Sequence, residues 1–434
     1  MEPTGVTATA LARLIARREV SAREVAEAHL RRIEAVNPLI NAVVALDAER
    51  ALAAADAADA AAAPTGPLHG VPFTVKDNLA ASGLEMAIGA SERVGVVPGA
   101  DATAVARMRA AGAILLGKTN CPEYGGGIET DNPVHGRTSN PYDPARTPGG
   151  SSGGEAAIVA AEGSPCGLGT DSGASVRLPA HFCGLASLKP SAGRVPLTGV
   201  LDDEGQLGTL GDPRTQVGPL ARSVEDVALL LRVVGGPDGH DGGVAPVALG
   251  AHAEVELRGL RVAVQTANDL DAPTPATVAA VAAAADVLRA AGASVEDARH
   301  PGGGHELTID VWRSYGDGVP AAELWRLLRR WDEFRARMLA FASRHDLLLC
   351  PVFDGPARPH GAMNVPGALD PTSWTTPHSL TGWPAATVRA GTSPEGLPLD
   401  VQLVAGPWRD DVALAAALRV ERELGPWPRV PGHA

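Results

Sequence analysis

Aromatic residues are scarce in this chain: Phe, Trp and Tyr make up 3% of 434 residues. A core with so few rings packs through small side chains and close helix contacts. Positive charge is in deficit too, since 37 Lys and Arg against 50 Asp and Glu leave a formal net charge of −13. A nucleic-acid binder normally carries a basic face. No Lys/Arg run and no interleaving of aromatics with basic residues is present, so no nucleic-acid partner is expected. The four cysteines, Cys121, Cys166, Cys183 and Cys350, lie far apart and form no C-x-x-C pair. Zinc spacing is therefore missing, and buried free thiols are expected in place of a disulfide framework. No window approaches the ~18 consecutive apolar residues of a membrane helix. The opening stretch MEPTGVTATALARLIARREV lacks the apolar segment of a signal peptide. A soluble cytoplasmic protein with no membrane partner is the expectation.

What is abundant is small and apolar. Hydrophobic residues reach 45% and charged residues 20%, enough for a substantial core. Residues 7–36 read as helix, with a capping box at Ser21–Glu24, and the Ala-rich run 46–62 reads as another. A short apolar strand ends at Lys76 in GVPFTVKDN. Helical patterns cover 223–236, 306–345 and 410–425, residues 275–296 read as a helix followed by a strand, and strands are expected within 257–266, 346–352 and 399–407. The order strand, helix, strand points to α/β layering.

The stretch GAILLGKTN, residues 112–120, fits the phosphate-loop pattern G-x-x-x-x-G-K-[ST]. In a phosphate loop a strand comes first and a helix follows the lysine. Here a helical pattern comes first, and Ala113, Ile114, Leu115 and Leu116 read as a buried strand. Pro122 discourages a following helix. ATP binding through Lys118 is not expected.

Two glycine-rich segments carry serines: TPGGSSGGEAA (147–157) and GLGTDSGASVRLPA (167–180). Amide hydrolysis needs a nucleophile that loses its proton as it attacks, fixed donors for the oxyanion, and a proton for the departing nitrogen. DSGAS offers successive uncrowded N–H groups on Ser172, Gly173, Ala174 and Ser175. For the base, His135 and His181 are nearest in sequence, without triad spacing. A lysine can serve if burial removes its charge, and Lys76 ends an apolar strand. The residues alone leave a His base, a Lys base and an ordinary strand-end lysine open.

VKDN, TPGGSSGGEAA and GTDSGASVRLPAHFCGLASLKPSAGRVPLTG, followed by VGPLARSVEDVALLL, LTGWPAATVRAG and GLPLDVQLVAG, resemble the amidase signature family along nearly the whole chain. The resemblance implies one domain over residues 1–434: an α/β fold with a single large mixed β-sheet flanked by helices on both faces. Within it, 1–63 would be an N-terminal helical region, 64–235 the catalytic core, and 236–434 the half completing sheet and pocket. It implies a metal-free, cofactor-free Ser–cis-Ser–Lys triad. Ser175 would be the nucleophile, Ser151 (after a cis peptide bond) the relay and Lys76 the base. Residues 172–175 would supply the oxyanion hole, and Asp77, Ser152, Asp171 and Arg177 a supporting shell.

Two departures stand out: the family usually has two glycines before the nucleophile, where this chain has Gly173-Ala174, and Ser379 stands where many relatives have Asn. Trp312, Tyr315, Trp325, Trp331, Trp374 and Trp383 are the pocket candidates. The expected activity is hydrolysis of a small-molecule amide, with aryl amides, esters and carbamates as further substrates. The alternatives are a glutamine-hydrolysing component of a tRNA-dependent amidotransferase and a non-catalytic binding protein on the same scaffold. A homodimer is left open.

Overall fold

The computed structural model describes residues 2–202, 205–209, 212–317, 319–363, 372–425 and 429–430, with 315–317 described by their backbone. The chain opens with α1 (Ala8–Ala16), α2 (Ala22–Ile40), β1 (Val43–Leu46) and α3 (Ala48–Ala60). Ser21 and Glu24 form the expected capping box on α2. Next come β2 (Pro72–Lys76), α4 (Thr103–Ala110), β3 (Ile114–Thr119), α5 (Gly153–Ala160), β4 (Cys166–Asp171), α6 (Arg177–Cys183) and β5 (Ala186–Lys189). A short hairpin, β6 (Leu201–Asp202) and β7 (Gly205–Gln206), leads to β8 (Gln216–Ala221) and α7 (Val224–Val234). The second half holds β9 (Arg261–Val264), α8 (Pro275–Ala290), β10 (Ser294–Asp297), α9 (Gly304–Asp317), α10 (Ala321–Ala342) and β11 (Leu347–Pro351). It closes with α11 (Thr376–Thr381), β12 (Ala385–Thr392), β13 (Pro398–Ala405) and α12 (Asp410–Leu424).

Eleven strands form one sheet in the order β1-β3-β2-β4-β8-β5-β12-β13-β11-β9-β10. It is mixed: β2 runs parallel to β3 and β4, and β9 to β10 and β11, while β8 and β13 pair antiparallel with their neighbours. Helices cover both faces. α8 and α12 pack on β12 and β13, and α6, with α5 beside it, packs on the same two strands. The main apolar cluster is rich in Ala, Val and Leu, while Trp331, Trp374, Trp383, Phe334 and Phe341 gather in a second cluster under α9, α10 and α11.

The pattern read as one helical stretch over 306–345 is two helices, α9 and α10, with Pro320 as the cap of the second. The four cysteines are buried and free. Among the described residues no helix is long and apolar enough to cross a membrane.

The phosphate-loop look-alike is strand β3, buried throughout. Gly112 turns the chain into it at φ +89°, a conformation L side chains rarely adopt. Lys118 is fully buried, 3.0 Å from Asp77 Oδ1, and its Nζ donates to the Asp77 carbonyl at 2.7 Å. Its ammonium is thereby committed inside the protein.

Candidate active site

Parallel strands β2 and β4 bring two chain ends to the same edge of the sheet, with Val75 opposite Leu168. Crevices at the carboxyl ends of such strands are the usual ligand sites of α/β sheets. Lys76, the last residue of β2, is buried here. Its Nζ donates to Ser151 Oγ at 2.5 Å and to Thr170 Oγ1 at 2.8 Å. Asn78 Nδ2 donates to the same threonine hydroxyl at 3.1 Å. Burial drives the Lys76 ammonium from 10.5 down to about 8, against the upward pull of Cys121 and Asp171. About a tenth of such a lysine is neutral at pH 7, and more than half above pH 8.

Ser151 stands just ahead of α5, and its peptide bond to Gly150 is cis. Ser152 fastens this loop to its neighbours. Its N–H donates to the Ser175 carbonyl at 3.1 Å, and its hydroxyl donates to the Thr170 carbonyl at 3.3 Å. One turn on, the buried Glu155 carboxyl accepts from the hydroxyls of Thr74 on β2 and Thr119 on β3. Burial raises its pKa to about 8, although both hydrogen bonds act to lower it. The loop bearing Ser151 is thus docked on the strands that bear Lys76 and Lys118.

Ser175 lies in the turn between β4 and α6. Asp171 and Arg177, both completely buried, clamp the ends of that turn. Arg177 Nε and Nη2 each donate to the Asp171 carboxylate at 2.9 Å, and the Val176 N–H donates to it at 3.1 Å. Burial alone would raise the Asp171 pKa, but the adjacent guanidinium holds it below the usual range. Arg177 Nη2 also donates to the Gly173 carbonyl and to Ser379 Oγ, both at 2.9 Å, and Nη1 to the Thr375 carbonyl at 2.9 Å. Because a trans peptide unit is planar, tying the Gly173 carbonyl to Arg177 aims the Ala174 N–H the other way. Among the described residues no acceptor takes the N–H groups of Ser172, Gly173, Ala174 or Ser175. Ser175 itself is half-buried. No hydrogen bond joins its hydroxyl to Ser151 among the described residues; catalytic bonds are often long before substrate binds.

Ala174 is not among the residues of positive φ. Its methyl belongs to an apolar cluster with Leu178, Phe182, Phe353 and Met363. The second glycine of the usual pattern is therefore not required by backbone conformation here. Ser379 spends its hydroxyl on Arg177.

The remaining candidates separate. Trp331, Trp374 and Trp383 are enclosed in the second apolar cluster, with Trp331 Nε1 donating to the Leu380 carbonyl at 2.7 Å. Trp325 is 65% exposed on α10. The Tyr315 side chain lies outside the described residues. Trp312 is placed against the 172–175 turn, on Gly173. His181 is spent structurally, with Nδ1 accepting from the Asp400 N–H and Nε2 facing the Gly355 carbonyl, each at 2.9 Å. Asp77 pairs with Lys118 and its Oδ2 accepts from the Ile88 N–H at 2.5 Å, which holds the loop after Lys76.

Sequence reasoning missed Thr170, Asn78 and Glu155. A hydroxyl just before the 172–175 turn, and an amide shortly after the lysine, are weak signals without strand register. Among the described residues no group of three or more His, Cys, Asp or Glu gathers for a metal ion.

The family model Amidase matches residues 24–313 and 319–414. The chain is 33% identical to a glutamyl-tRNA(Gln) amidotransferase subunit of Chloroflexus aurantiacus, over 97% of each chain. It is equally 33% identical to the 6-aminohexanoate-cyclic-dimer hydrolase of Paenarthrobacter ureafaciens, over 97% of this chain and 95% of that protein. A solved structure of a 6-aminohexanoate cyclic dimer hydrolase complexed with substrate superposes with a TM-score of 0.87, at 31% identity and 99% coverage of both chains. With these matches along its length, the chain belongs to the amidase signature family, and it is a hydrolase of amide C–N bonds.

Proposed function

We propose that this enzyme hydrolyses a small-molecule amide through an acyl-enzyme on Ser175, with Ser151 as proton relay and Lys76 as general base and acid. The observation that carries the reading is the buried Lys76 Nζ, 2.5 Å from Ser151 Oγ and lowered to about 8 by burial. Ser175 Oγ attacks the carbonyl carbon. Its proton passes to Ser151, which gives its own to neutral Lys76. The N–H groups of residues 172–175 receive the negative oxygen, where one such donor typically contributes ~2.7–4 kcal/mol. Collapse breaks the C–N bond, and Lys76 returns the proton through Ser151 to the leaving amine. Water then attacks the acyl-enzyme along the same relay, releasing the acid and freeing Ser175. The Asp171–Arg177 pair keeps the donors aimed without reorganisation.

A second reading is favoured by the similarity to the glutamyl-tRNA(Gln) amidotransferase protein: glutamine would be the amide, with ammonia passed to partner chains and tRNA bound by the assembly. The chemistry at Ser175 is the same in both. The deciding experiment offers the isolated chain amides, anilides, esters, carbamates and glutamine, and reads the amine or alcohol released. Turnover of non-glutamine amides by the chain alone supports the first reading. Hydrolysis confined to glutamine, appearing only with partner chains, supports the second. No release from any substrate, with the chain alone or with partner chains added, overturns both.

A further inference from the structure

We propose that Trp312 walls the acyl-binding subsite and selects amides whose acyl group is uncharged and flat, an aroyl group being the type case. This rests on the reading of residues 172–175 as the oxyanion turn. Gly173 sits at the centre of that turn. A Cβ there would lie 2.8 and 2.9 Å from Trp312 Cζ2 and Cη2, and 3.6 Å from Thr376 Cγ2. The benzene edge of the indole therefore rests directly on the backbone that would receive the carbonyl oxygen. Nothing larger than glycine fits between them.

Trp312 also differs from the other tryptophans in its surroundings. Trp331, Trp374 and Trp383 are closed into the second apolar cluster. Trp312 is held on α9, which packs on α11, yet stays half-buried. The ring thus lies against the turn without the residue being fully enclosed. Exposed aromatic surface next to a polar turn suits a planar apolar group, which gains from ring stacking as well as from leaving water.

Two charged pairs lie near the turn. Asp171 and Arg177 are paired with each other and fully buried, and Lys118 is paired with Asp77. Ser172 Oγ is engaged with Thr215 Oγ1 at 2.5 Å, and the Ala174 methyl faces apolar neighbours. A substrate carrying both an α-carboxylate and an α-ammonium finds no uncommitted counter-charge in this set, and a buried charge left unpaired is costly.

The test compares the p-nitroanilides of acetic, hexanoic and benzoic acids, with glutamine as a fourth substrate. Wild type, Trp312→Phe and Trp312→Ala are assayed, and acyl transfer to Ser175 is followed by intact mass. Wild type should favour the benzoyl compound over the acetyl one and turn over glutamine most slowly. In Trp312→Ala the benzoyl-to-acetyl ratio of kcat/KM should fall about tenfold, mainly through KM, and Trp312→Phe should retain most of it. The ratio is read within one variant, so a partly folded population cancels. An unchanged ratio in Trp312→Ala with normal acyl-enzyme formation overturns the subsite alone, as does faster turnover of glutamine than of the benzoyl compound. Absence of any acyl-enzyme in wild type removes the underlying reading and this one with it.

Discussion

Lys76 Nζ donates to Ser151 Oγ at 2.5 Å while also donating to Thr170 Oγ1 at 2.8 Å, so the lysine is held from two segments at once. The Thr170 bond fixes the amine, and the Ser151 bond would connect it toward the proposed nucleophile, Ser175. Ser151→Ala cuts the connection and leaves the Thr170 anchor. The expected result is a loss of at least about a hundredfold in kcat, with KM changed far less and the melting temperature near wild type. Steady-state kinetics on any amide found in the substrate panel checks it.

In the proposed mechanism Ser175 is the one member of the set whose oxygen becomes bonded to substrate. Ser175→Ala should lower kcat by at least about a thousandfold and abolish the mass increment of an acyl-enzyme. Intact-mass spectrometry on enzyme quenched during turnover reads this directly. An acyl adduct persisting in the variant would move the nucleophile elsewhere.

The Asp171–Arg177 pair is fully buried, so breaking it leaves a charge without a partner. Arg177→Met should destabilise the protein by about 3–5 kcal/mol. The turn would also lose its hold on the Gly173 carbonyl and hence on the Ala174 N–H. Denaturant unfolding measures the first effect and residual kcat the second. Loss of activity without loss of stability would argue against a clamp.

Lys118 tests the phosphate-loop look-alike. Because its ammonium is paired with Asp77 inside the sheet, Lys118→Met should lower stability by about 3 kcal/mol or more. Millimolar Mg-ATP should leave the wild-type melting temperature unchanged. An upward shift with ATP, lost in the variant, would restore nucleotide binding.

Much of the outer frame was legible from the chain. Ser21 and Glu24 mark the start of α2, and the helix-then-apolar-run order at 103–119 marks β3. Lys76 is recognisable as the end of a buried strand. The centre of the sheet was not legible, because its glycines break strand periodicity. In β4, Gly167 and Gly169 stand where a Cβ would strike the Glu155 carboxylate and the Ser152 hydroxyl, the latter at 2.5 Å. Those glycines make room for α5 to press the Ser151 loop onto the sheet, so a glycine-rich stretch without strand periodicity is a central strand. Thr170 escaped notice for the same reason. The tryptophans were misleading in another way: composition marks them as large and rare, but only packing separates Trp312 on the turn from three that fill a core.

The central claim is that Lys76 acts in its neutral form, and the most direct measurement is the pH dependence of Ser175 acylation. Burial lowers the Lys76 pKa to about 8, so the base is mostly protonated and idle below that pH and free above it. The rate of Ser175 modification by p-nitrophenyl acetate, followed as the p-nitrophenolate burst, should rise with pH and level off above about 8 in wild type. In Lys76→Ala it should be at least about a hundredfold slower and lose that inflection. A variant keeping the wild-type rate and the same inflection would contradict the account and place the base on another group.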